Sequence, residues 1–112
     1  MKNLLNAHTL RRENARHEGT GGTSQCSSGM GFRPAFFDYA THTIHPSRFR
    51  DGRVAPFHVL DGLPDEAVAI RSDDGRVLAT KATLISGFER NGFFFTRTAA
   101  ARAVRDWATQ ED

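Results

Sequence analysis

The chain has 112 residues, 38% of them hydrophobic and 25% charged, with a formal net charge of +2. That length suits one domain, and the absence of any apolar run of about 20 residues excludes a membrane-spanning helix. The charge is bipolar: residues 1–57 carry eight basic against four acidic side chains, residues 58–75 one against five, and residues 76–112 six against four. A general phosphate-binding surface needs many cations on one face, and this alternation argues against one.

Residues 3–16 begin with a loose apolar stripe of Leu4, Leu5, Ala7, His8 and Ala15, followed by the polar cluster Arg11, Arg12 and Glu13. Isolated helices of this length are marginal in water. The expectation is a frayed arm, residues 1–29, that holds at most a short helix and orders on a partner. The stretch "HEGTGGTSQCSSGMG" (17–31) is rich in Gly, Ser and Thr and reads as linker. Deleting residues 1–28 is then expected to leave the thermal midpoint nearly unchanged. Cys26 is the one cysteine, so no intrachain disulfide forms, which favours a reducing compartment. The first fourteen residues lack the apolar core of a secretory signal. The expected location is the cytoplasm.

The domain is expected to occupy residues 30–112. "AFFD" (35–38) reads as a strand, "YATH" (39–42) as a turn and "TIHPS" (43–47) as the return strand. His42 is tolerable where a turn asks for positive φ. Pro46 confines the return strand to a sheet edge. Residues 48–66, with two Asp-Gly pairs and two prolines, read as a loop-rich connection. "AVAIRSDDGRVLAT" (67–80) has β-rich arms around Asp73-Asp74-Gly75, and "TLISGFERNGFFFT" (83–96) repeats that logic around Arg90-Asn91-Gly92. Both are hairpin signals. A closing helix is capped by Thr96 or Thr98. Its apolar stripe is Ala100, Ala103, Val104 and Trp107, and Arg97, Arg102, Arg105 and Asp106 are assigned to its wet face. The pattern predicts an α+β domain: an antiparallel meander of four to six strands with one C-terminal helix packed on it. Phe36, Phe88, Phe94 and Trp107 are the expected core.

Site chemistry is sparse. His42, His45, His58 and Cys26 are the candidate metal ligands, but no pair has the spacing of a zinc site. No metal and no cofactor are expected. Cys26, Ser24, Ser27 and Ser28 lie in the linker, and a catalytic group needs a rigid frame. The glycine-rich tract lacks the pattern of a phosphate-binding loop. The expectation is a protein that is not an enzyme. Arg33, Arg48, Arg50, Arg53, Arg90 and Arg97 interleave with Phe residues, which allows nucleic-acid binding by stacked aromatics and phosphate contacts. Those same Phe residues are needed for the core, so a protein partner is preferred. The proposed contact set is Arg33, Arg48, Arg50 and Arg53, with His45 nearby.

At "ENARHEGTGG" (13–22), residues 31–64 and "GFERNGFFFTRTAAA" (87–101), the chain resembles short uncharacterised proteins of proteobacterial genomes, often encoded near mobile or plasmid-borne regions. The resemblance spans most of residues 13–101 and brings no activity or catalytic residue. It implies a bacterial accessory protein, and it adds an inhibitor or modulator that acts by binding as a further class. Where such chains end "FYTREEA", this one has "FFTRTAA" (94–100), without acidic side chains in the first helical turn.

Overall fold

The structure, a computed structural model, describes residues 5–16 and 30–109. Cys26 and the rest of the 17–29 tract lie outside the described residues, as does the side chain of Trp107. Helix α1 spans Ala7–Arg16. It is opened by a reciprocal cap: the Thr9 N–H donates to Asn6 Oδ1 and the Asn6 N–H to Thr9 Oγ1, each at 2.9 Å. The strands are β1 (Arg33–Asp38), β2 (Thr43–Pro46), β3 (Val68–Arg71), β4 (Val77–Thr80), β5 (Leu84–Arg90) and β6 (Phe93–Thr96). Helix α2 (Arg97–Thr109) follows β6 without a break, its first turn capped by Thr96 Oγ1, which accepts from the Ala99 N–H at 3.0 Å.

The class is α+β, as the pattern predicts. The strands do not form one continuous meander: β2-β1-β5-β6 make a four-stranded antiparallel sheet, and β3-β4 make a separate ribbon. The turns are those the residues demand. His42 (φ 57°) closes β1-β2, and Asn91 (φ 55°) with Gly92 (φ 87°) closes β5-β6 as a two-residue hairpin. Pro46 sits on the edge strand β2, where no ladder donor is lost.

Among the described residues, both core clusters pack on one face of the sheet. Phe36, Leu84 and Phe88 are fully buried there. Phe36 and Leu84 join Leu60, Leu63, Ala67 and Val77 in one cluster. Phe88 joins Phe32 and Ala100, with Phe95, Ala103 and Val104 against them. Three expectations need correction. The arm is not wholly separate from the domain: Leu5 and Leu10 are buried in the first cluster, and Leu5 O accepts from the Thr80 N–H at 3.0 Å. Burial of those leucines supplies the stabilisation that helix propensity alone does not. Phe94 is not core; it lies half-buried on the opposite face. Arg97 is not on the wet face of α2; it is 4% exposed. Arg102, Arg105 and Asp106 are exposed as expected. Among the described residues, no helix is long and apolar enough to cross a membrane.

Candidate functional site

Three of the five proposed contact residues share one loop. Residues 47–55 leave β2 and turn back through the bridge between Arg48 and Val54. The Phe49 N–H donates to Arg53 O at 2.8 Å and the Gly52 N–H to Phe49 O at 2.9 Å, with Gly52 at φ 94°. Below the loop lies Gly62. A Cβ there would sit 2.3 Å from Arg48 O and 2.6 Å from Phe49 O, so only glycine permits this approach.

The loop presents cations beside aromatic rings. Arg48 Nη1 donates to Gly52 O at 2.9 Å. Arg53 pairs with Asp51 at 2.7 Å and places its guanidinium 5.3 Å over the Phe49 ring. Phe49 meets Phe57 edge to face at 5.6 Å. Val54 and Phe57 are each about half exposed. Arg50 reaches across to the β3-β4 turn and donates to Asp74 O. Backbone hydrogen bonding from Arg53 holds the Asp51 carboxyl below its ordinary range, and the Ser72 hydroxyl does the same for Asp74.

The other two proposed residues stand apart from this loop in sequence. Arg33 opens β1 opposite Glu89. It lines an open groove of about 850 Å³ with Phe32, Pro34, Val54, Ala55 and Pro56, which brings it to the flank of the loop. His45 lies on β2 opposite Phe36. Its electrostatic influence falls on Asp38, whose carboxyl is lowered chiefly by a hydrogen bond from the Thr83 side chain. Sequence reasoning missed Val54, Phe57 and Gly62. The doubled Asp-Gly signal around "RVAPFHVLDG" marked loops, but not which of their apolar residues stay wet.

A second polar site is internal. The Ser86 hydroxyl donates to Glu13 Oε2 at 2.5 Å, and Arg97 Nε donates to Ser86 Oγ at 3.1 Å. Arg97 Nε also lies 3.6 Å from Glu13 Oε2. Arg97 Nη2 is 3.2 Å from His58 Nδ1, and His58 Nε2 is 2.7 Å from Gly87 O. A carbonyl only accepts, so Nε2 carries the proton and Nδ1 accepts from the guanidinium. Burial, then the Arg97 charge, pushes His58 down to about 3. Burial also lowers Arg97, against the opposing charge of Glu13. The network ties α1, β5, α2 and the 56–60 segment together. Both His58 nitrogens are used in it, which leaves neither for a substrate proton.

An open cleft of about 980 Å³ lies between α1 and the β3-β4 ribbon, with Leu10, Leu60 and Val77 along it and Arg11, Asp61, Asp73 and Arg76 among its polar lining. Among the described residues, no three His, Cys, Asp or Glu side chains are grouped to hold a metal. His42 sits at its turn against Phe37, at 6.2 Å between rings, and His58 sits inside against Phe36 and Phe88. Comparison with family models, with curated proteins and with solved structures found no match.

Proposed function

We propose that this chain is a small non-enzymatic protein-binding module whose contact surface centres on the 48–57 loop, with Arg33 at its flank. The carrying observation is Arg53 over the half-buried Phe49 ring, which meets exposed Phe57 edge to face, beside exposed Val54. Arg and aromatic side chains dominate the energetics of protein interfaces, and a rigid loop limits the ordering cost of binding. Local charge favours a protein over a nucleic acid: Arg48, Arg50 and Arg53 are matched by Asp51 on the loop and by Asp73 and Asp74 on the turn that Arg50 touches. A phosphate backbone needs an uncompensated excess of cations. The resemblance to proteobacterial proteins near mobile elements favours a bacterial cytoplasmic setting, and an accessory or inhibitory role exerted by binding.

The test is a tagged pull-down from bacterial lysate, with and without nuclease, using the natural chain and a Phe57→Ser/Arg53→Glu variant. A nuclease-resistant protein held by the natural chain and lost by the folded variant supports the reading. Loss of all captured material on nuclease treatment would assign the loop to nucleic acid.

A further inference from the structure

The four-stranded sheet has a second face, and it is apolar. Cross-strand register puts Ile44 of β2 and Ile85 of β5 on either side of Phe37 of β1. Phe94 of β6 leans across Gly87 and stacks on Phe37, with ring centroids 5.1 Å apart and planes at 21°. A Cβ on residue 87 would lie 2.4 Å from the Phe94 ring, so the glycine is what lets this row close up. Each of the four side chains is only partly buried, and none enters either core cluster. The solvated face of an antiparallel sheet ordinarily alternates to polar residues. Here all four strands contribute an apolar residue, the pattern of the inner layer of a sandwich.

We infer that this face is the contact surface of a two-fold dimer, sheet packed on sheet, whose partner is a second copy of this chain. Charge selects that occupant. The same face carries Arg33 directly opposite Glu89, at one end of the apolar row. The face is therefore neutral, with a cation and an anion side by side. An isologous contact must be complementary to itself, which a surface with both signs at its rim and an apolar centre satisfies. Nucleic acid requires surplus cations, and a strongly charged protein face would leave one of the two side chains opposed by like charge. Size sets the strength. Four strands about 4.8 Å apart and roughly five residues long give a footprint of about 330 Å² per copy. Twice that lies below the roughly 1,200 Å² at which stable interfaces begin, so the dimer is weak and transient, on the order of 10 μM or weaker. The apolar row itself lies apart from the 48–57 loop, although Arg33 at its end also flanks that loop; the inference does not rest on the proposed function.

The experiment is sedimentation velocity of the full chain from 1 μM to 1 mM, paired with an amide NMR dilution series. The expected result is a mass that rises from monomer toward dimer, with dilution shifts centred on residues 37, 44, 85 and 94. Ile44→Lys and Phe94→Glu, with folding checked by circular dichroism, should each weaken association at least tenfold. A natural chain that stays monomeric to 1 mM overturns the inference. So does a dimer that persists unchanged in both folded variants, or dilution shifts that map elsewhere. Shifts on this face produced by a deoxythymidine oligonucleotide in a monomeric chain would give the face to nucleic acid instead. If both variants unfold, the dilution shifts of the natural chain decide.

Discussion

Phe36 and Phe37 are neighbours in sequence and opposites in environment. Phe36 is fully buried against His58, Leu84 and the first core cluster. Phe37 is partly exposed and has His42 and Phe94 for ring neighbours. The two faces of one sheet thus carry the same residue types but do different work. One face is covered by both helices, the ribbon and a buried polar network. The other is a row of four apolar side chains with one charge pair. Apolar content alone does not say which face is core; what docks on it does.

Truncation on the two faces should differ most. Phe36→Ala or Phe88→Ala removes a fully buried ring and should cost about 3–5 kcal/mol in chemical denaturation. Phe37→Ala, measured at concentrations where the chain is monomeric, should cost less, about 2 kcal/mol, because that ring is partly exposed. Equal losses would show that the second face is core after all.

The polar network is the next point of leverage. Glu13→Ala removes a carboxylate that lies 3.6 Å from the buried Arg97 guanidinium. Glu13 is itself about a third exposed, so the expected loss is about 1–3 kcal/mol rather than that of a fully buried pair. Deleting residues 1–16 should lower the thermal midpoint by more, since Leu5 and Leu10 go with it. An unchanged midpoint would restore the reading of this segment as a detached arm.

The last effect is pH, and it is small near neutrality. His58 is neutral in the folded chain, and its proton affinity is depressed from the ordinary 6.5 to about 3. Between those values the unfolded chain binds the extra proton and the folded one does not. Stability is therefore fully present above pH 6.5 and falls as pH drops toward 3, by about 1 kcal/mol per pH unit. Thermal midpoints from pH 7.5 to 5 should show the decline, and His58→Gln should remove most of it.

The hairpins were legible because their determinants are local. Asn91-Gly92, Gly75 and His42 take the positive-φ positions at which their residue types are tolerated. The stripe of α2 was legible for the same reason. Arg97 was readable but misread: it stands three residues before Ala100 and seven before Val104, on the buried side, and its charge argued for the wet face. A buried guanidinium needs partners, and these come from Glu13, Ser86 and His58, far away in sequence. Among the proposed contact residues, Arg48, Arg50 and Arg53 share a loop by sequence proximity, whereas the approach of Arg33 to that loop depends on the fold.

By itself the sequence determined the α+β class, the positions of the turns, the strand segments and the capped final helix. These follow from backbone preferences and from periodicity, which act over a few residues. Tertiary structure alone decided that β5 pairs with β1, that β3-β4 stand apart, that α1 belongs to the core and which face of the sheet is covered. Those outcomes depend on which distant surfaces meet, and no local preference encodes that choice.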